Sequence, residues 1–196
     1  RGFCRDERMK DPTPRHVILF SGHMPDAPGR ARPRFPPALE TAAAQRIAAA
    51  LDALDAGPAD LGLTQGAAGG DLLFAEAAQA RGLPLQLVQP FAENEFIARS
   101  VRPVRDGERW VARYRAVAAR LDTPPHAMPP APPGDNPFER CNRCLLDTAL
   151  AHGGERVWLL CLWDGQGGDG AGGTAHMVGE VRARGGHVIH IDTRRL

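Results

Sequence analysis

Two short apolar runs in this chain each break into a glycine-rich turn and then into a helical pattern, and few folds accommodate that unit twice. The first run is Leu61-Gly62-Leu63-Thr64, followed by Gly66-Ala67-Ala68-Gly69-Gly70-Asp71. The second is Val157 to Trp163, followed by Gly165 to Thr174, which reads GQGGDGAGGT. A strand–turn–helix unit aims backbone N–H groups from the positive end of a helix, where a phosphate approaches with no side chain in between. His16 to Phe20, Leu83 to Val88 and His187 to Asp192 read as further strands. Helical spacing covers Leu39–Leu54, Asp71–Arg81, Asn94–Ser100, Gly107–Leu121, Phe138–His152 and Gly173–Arg184. The Pro-rich stretch Thr123 to Pro137 reads as an irregular surface crossing. The strands are continuously apolar rather than alternating, as strands covered on both faces are. The expected fold is therefore α/β: a Rossmann-like three-layer sandwich with a mainly parallel sheet of about five or more strands.

Ligands of such sheets lie beyond the carboxyl ends of the strands, near the point where strand order reverses. Both glycine turns, the Ser21-Gly22-His23 turn and Pro90-Phe91 all follow strands, which gathers them on one rim. The expected phosphate ligands are the backbone groups around Gly66, Ala67, Gly69, Gly70, Gly172, Gly173 and Thr174, with Ser21, Gly22 and His23 beside them. Arg30, Arg32 and Arg34 line the loop after the first strand; Arg34 is the candidate for a bidentate phosphate clamp, although loop arginines are ordinarily just solvated. Asp71 opens a helix, so a ribose contact competes with N-capping. Asp164 and Asp169 flank Gly165-Gln166-Gly167-Gly168; they could hold a Mg2+ ion carried by a nucleotide, or be solvated loop acids. His176 sits at a helix N-terminus, where the dipole disfavours its charged form. Arg105, Arg109 and Arg113 recur every four residues beside Trp110 and Tyr114: either a lid over a base, or an amphipathic helix whose aromatics enter the core. Asn142 and Arg143 start a helix near the rim and are further candidates for a ribose or phosphate.

With 196 residues the chain is long enough for one sizeable core, and the expected organisation is a loose segment over 1–15 ahead of a single domain over 16–196. A formal net charge of +1 offers no field for nucleic acid or an anionic membrane. No apolar run is long enough to span a bilayer and no secretory pattern opens the chain, so the expected compartment is the cytoplasm. Among Cys4, Cys141, Cys144 and Cys161, the last lies in an apolar strand as a buried thiol would. Cys141 and Cys144 form a C-x-x-C without the two further ligands a structural zinc needs, and read as packing residues. No G-x-x-x-x-G-K-[ST] and no G-x-G-x-x-G is present, which argues against a P-loop triphosphatase and a dinucleotide dehydrogenase. No metal is required by any motif.

The run Thr64 to Asp71, continuing through Glu76 to Leu83-Pro84, resembles the GGAxGAD turn of the SLOG superfamily, and Gly172-Gly173-Thr174 resembles its GGT element. Ser21-Gly22-His23, Arg34-Phe35-Pro36, Pro90-Phe91 and Ser100-Val101 resemble one bacterial branch found beside signalling and repeat domains. The resemblance runs from about His16 to Asp192. It implies a nucleotide-binding domain that senses or processes nucleotide-derived signals, pairs as a homodimer, and sits beside signalling domains in a longer chain. One branch, the LOG-type phosphoribohydrolases, carries PGGxGTxxE, with its glutamate three residues after the threonine. Here Ala175, His176 and Met177 follow Thr174, and the nearest acid is Glu180, six residues on. A carboxylate cannot move three helical positions and keep its aim, which leaves Asp71, Glu76 and Asp164 as candidate catalytic acids. Three functions follow: a nucleotide sensor, a nucleoside 5′-monophosphate N-glycosidase with a displaced carboxylate, or a ligand-free scaffold for protein contacts.

Overall fold

Val17 to Phe20 are all apolar because the strand they form is covered on both sides. Ile18 and Phe20 enter one core with Ile47, Leu72, Phe74 and Trp110, whereas Val17 and Leu19 enter a second with Leu63, Leu145, Leu159 and Met177. The period-2 alternation of a strand divides one continuous apolar run between two cores. The computed structural model describes residues 13–27, 29–166 and 173–196. Its strands are β1 (Val17–Gly22), β2 (Leu61–Thr64), β3 (Leu85–Gln89), β4 (His126–Ala127), β5 (Val157–Trp163) and β6 (His187–Asp192). Its helices are α1 (Glu40–Ala53), α2 (Gly70–Gln79), α3 (Glu93–Phe96), α4 (Gly107–Ala118), α5 (Pro137–Leu150) and α6 (Thr174–Ala183). A π-helical turn, Ile97–Val101, continues α3.

The six strands form one sheet in the order β4-β3-β2-β1-β5-β6, every described pairing parallel. Register aligns Val17 with Leu61 on one side and Ser21 with Cys161 on the other. Helices α1, α2 and α4 pack on one face and α5 and α6 on the other, the three-layer Rossmann-like sandwich that the continuous apolar strands require. The chain leaves β1 toward β2 and later returns to its other side with β5, so the strand order reverses between β1 and β5. A crevice at the carboxyl ends of these two strands is the topological consequence.

Several local features differ from expectation. β4 lies inside the Pro-rich crossing; two exposed residues pair with Val88 and Gln89, too few to register as an apolar run. Strand β3 starts at Leu85, after Pro84, whose carbonyl accepts from Gly62 N. Arg15 is not loose: its guanidinium holds both carboxylate oxygens of the buried Asp60, at 3.0 and 2.9 Å. Residues 1–12, with Cys4, lie outside the described residues. Helix α4 is a core layer and not a lid, since Trp110 and Tyr114 are 1% and 0% exposed. Its arginines face the neighbouring helices: Arg109 and Arg113 both bind Glu40, and Arg113 also binds Glu76. In α5, Cys141 is a free thiol that donates to Val88 O at 3.2 Å, and burial pushes its pKa well above the ordinary range. No helix among the described residues is long and apolar enough to cross a membrane.

Candidate functional site

A cleft of about 210 Å3 opens at the reversal point. Strand β1 contributes Phe20, Ser21 and Gly22, with Met24 just beyond; the first glycine turn and α2 contribute Gln65, Ala67 and Asp71. Ser100 enters from the π-helical turn, Asn136, Phe138, Glu139 and Asn142 from the start of α5, and Gly173 and Thr174 from the start of α6. Hydroxyls, carboxamides and two carboxylates line the cleft together with a few apolar groups, and no arginine is among its described lining residues.

The first glycine turn does not present itself as a phosphate cradle. The amides of Gly66 and Ala67 donate to Asp71 Oδ2 at 3.2 and 3.3 Å. Ala68 N donates to Ser100 O at 2.9 Å, and Gly70 N to His23 O at 3.1 Å. Those backbone donors are already committed, which corrects the expectation of a phosphate on Gly66, Ala67 and Gly70. The glycines answer to close packing. A Cβ on Gly69 would stand 2.6 Å from Pro25 Cδ and 2.8 Å from His23 O, and one on Gly70 would stand 3.0 Å from Phe20 Cε1.

Asp71 is neither an N-cap nor a solvated acid. Gly69 occupies the N-cap of α2, and Asp71 reaches back from the first turn to tie down its own loop. It is 7% exposed. Burial pushes its carboxyl up to about 6, against the opposing pull of the Ala67, Gly66 and Gln65 amides. It therefore sits in the cleft as an acid that changes charge just below neutrality.

Asp164 has a different task. Its Oδ1 lies 3.3 Å from His23 Nε2, its Oδ2 3.5 Å from Arg34 Nε, and Oδ1 also accepts from Gln166 N at 3.0 Å. The Asp164 amide donates to His23 Nε2 at 3.2 Å when that nitrogen is unprotonated. Burial opposes ionisation of Asp164, but the Gln166 amide, His23 and Arg34 outweigh it and hold the carboxyl below its ordinary value. The group joins the loops after β1 and β5 and is absent from the cleft lining. A carboxylate facing an imidazole, a guanidinium and an N–H is a poor Mg2+ ligand, so this residue does not fit the metal it could have carried. Its proposed companion Asp169 lies outside the described residues, as does Gly172. Among the described residues no three His, Cys, Asp or Glu side chains converge as a metal site requires.

Helix α6 starts at the same rim. Gly173 is the N-cap and supplies no side-chain cap, and α6 runs for ten residues behind it. Thr174 Oγ1 shares a 2.9 Å hydrogen bond with Ser21 Oγ, which joins the end of β1 to the head of the helix. His176 is exposed and outside the lining. Across the cleft, Gln65 Nε2 donates to Asn142 Oδ1 at 2.5 Å. Arg143 is not in the described lining but binds Glu139, which is. Glu76, on the outer face of α2, is bound to Arg113 and does not line the cleft. Glu76→Gln is expected to cost roughly 0.5–1 kcal/mol, as partly exposed ion pairs do, and to leave every ligand affinity unchanged; calorimetry on the variant checks both.

Sequence reasoning brought Ser21, Gly22, Ala67, Asp71, Gly173 and Thr174 to the cleft, with Asn142. It missed Gln65, Ser100, Asn136, Phe138 and Glu139 as site residues. Gln65 was accessible from the carboxyl-end rule, being the first residue after β2. Asn136 and Glu139 stand at the spacing of a helix-capping pair, and Asn136 does cap α5 by accepting from Phe138 N and Glu139 N at 3.0 and 3.3 Å. Ser100 stands in the sequence only as part of the Ser100-Val101 resemblance; a π-helical turn brings it to the rim, a device often found at functional positions.

Fold and cleft together define a Rossmann-like α/β protein with a polar crevice at the switch point of its sheet. No protein-family model matches the chain, and no curated protein matches it.

Proposed function

We propose that this cleft binds a nucleoside monophosphate or a closely related nucleotide-derived signal. The observation that carries the reading is the head of α6, whose N-cap Gly173 brings no side chain to it, with its Ser21–Thr174 hydroxyl pair, lining one crevice with Asp71, Gln65 and Asn142. A phosphate at Thr174 accepts from the helix amides and from the one hydroxyl proton that the Ser21–Thr174 pair leaves over. Ribose hydroxyls then meet carboxylate and carboxamide oxygens, which accept from them. With no arginine among the described lining residues, one phosphate suits the cleft better than three, because none of those residues offsets the charge of a triphosphate chain. The volume of about 210 Å3 is small for a dinucleotide.

In this reading the chain is a SLOG-type sensor of a bacterial, cytoplasmic signalling system, pairing as a homodimer beside neighbouring signalling domains. A second reading rests on Asp71, a buried acid within the cleft. As a base it would take a proton from water attacking the ribose C1′, while the nucleobase leaves with the C–N bonding pair and gains a proton; this is N-glycoside hydrolysis.

A thermal-shift series with nucleoside mono-, di- and triphosphates, cyclic nucleotides and ADP-ribose separates these. A ligand at about 100 times its Kd adds about 2.7 kcal/mol, or roughly 5–10 °C for a chain of this size. The expected result is a shift of that size with a monophosphate recovered intact by chromatography. Recovery of free base makes the protein an N-glycosidase. No shift across the series removes nucleotide binding and leaves the scaffold.

A further inference from the structure

Phe138 is the exposed large hydrophobic residue of the described structure, 37% accessible, and it stands on the wall of a polar cleft. An aromatic ring left 37% accessible at a binding crevice is only partly covered by the fold. Its orientation is nonetheless held. Phe91 meets it edge-on, with ring centroids 5.3 Å apart and planes at 84°, and Arg99 lies over the Phe91 ring at 4.6 Å from its centroid. A phenyl ring fixed in this way keeps a flat surface available for stacking.

The polar groups beside it are set for reading an edge. Asn136 Oδ1 is committed to the two amides at the head of α5, so its Nδ2 remains the donor of that side chain. Glu139 accepts from Arg143 at 2.8 Å through Oε1, which leaves acceptor capacity on the carboxylate. One N–H donor and one charged acceptor thus flank a stacking platform. Elsewhere on the cleft wall, the Ser100 hydroxyl is 2% exposed and lacks a hydrogen-bond partner among the described residues. A buried polar atom of that kind is costly unless something else completes it, and an occupant of the cleft is the candidate.

We infer that Phe138, Asn136 and Glu139 form a base-reading subsite, in which a heteroaromatic ring stacks on Phe138 and presents an N–H to Glu139 and an acceptor to Asn136. This rests on the nucleotide reading above and extends it: affinity depends on the base, and not on sugar and phosphate alone. The carboxylate also sets a preference. A ring edge offering only acceptors meets the Glu139 charge and is rejected, whereas an edge with ring or exocyclic N–H groups is drawn in.

The test compares the four common nucleoside 5′-monophosphates with ribose 5-phosphate by calorimetry, on the wild type, Phe138→Ala and Glu139→Gln. Because Phe138 is exposed, its truncation leaves the core intact, and a melting curve on each variant verifies folding. The expected result is a best nucleotide roughly 5- to 100-fold tighter than ribose 5-phosphate, the range one base–aromatic stack supplies. Phe138→Ala should bring that ratio close to one with ribose 5-phosphate affinity unchanged, and Glu139→Gln should lower it several-fold. Equal affinity for nucleotides and ribose 5-phosphate in the wild type overturns the subsite while keeping the phosphate site. A ratio that survives Phe138→Ala overturns it too. Absence of binding by any of these five compounds overturns the nucleotide reading itself, and the subsite with it.

Discussion

Gly69→Val is expected to destabilise the protein by roughly 3–5 kcal/mol, a fall on the order of 10 °C in Tm. Two costs combine. Gly69 has φ +90° and ψ −128°, a backbone region that residues with a Cβ avoid. Its ideal Cβ would also lie 2.6 Å from Pro25 Cδ, 2.8 Å from His23 O and 3.1 Å from Met24 Cα. Two of those three atoms are backbone, so no side-chain rotation relieves the contact. Gly179→Ala is the control, because a Cβ there meets nothing within 4 Å and a helical alanine is favoured by about 0.5–1 kcal/mol. A Gly69→Val protein melting within a degree or two of wild type would show that the loop after β1 does not lean on this turn.

Asp71→Asn is expected to stabilise the protein at pH 7.5 and to leave it near wild type at pH 4. The folded state holds the Asp71 carboxyl at about 6, above the 3.8 of an unperturbed aspartate. The folded protein therefore binds a proton more tightly than the unfolded chain does between these values. Stability from this group is complete below pH 4 and is lost as pH rises through 6, by at most ~3 kcal/mol. Asparagine keeps one oxygen for the Gly66 and Ala67 amides and removes the titration. The difference in Tm between variant and wild type should grow from pH 4.5 and level off above about pH 7. A difference independent of pH would mean that the carboxyl does not titrate in this window. The same variant serves the hydrolytic reading, since loss of turnover with binding retained would assign the reaction to this carboxylate.

The two results bear on one structural point: the first glycine turn serves the protein before it serves a ligand. Its glycines read naturally as a phosphate motif, and the reading was physically sound as far as it went. What it lacked was the position of the loop after β1. That loop comes within contact distance of Gly69 and takes the Gly70 amide with a carbonyl. Asp71 meanwhile folds back on Gly66 and Ala67. A similar correction applies to Arg34 and Asp164, which satisfy one another beside His23. Arg109, Arg113 and Glu76 are likewise joined with Glu40 on the outer helices.

By itself the chain's order of apolar runs, glycine turns and helical spacings determined the layered parallel sheet and the rim on which its loops gather. These are consequences of local period and of the rule that a strand buried on both faces must be apolar on both. It also marked Ser21, Asp71, Gly173 and Thr174 as rim residues, because each stands at the carboxyl end of a strand or opens the helix after it. Tertiary structure alone decided which donors on that rim are committed within the fold, and which arginines pair with carboxylates. It also brought Ser100 and Phe138 to the crevice from distant segments. Hydrogen bonds and ion pairs saturate: a group that finds a partner across the fold is no longer available to a ligand. Which partner it finds depends on distances between residues far apart in sequence, and those exist only once the layers have packed.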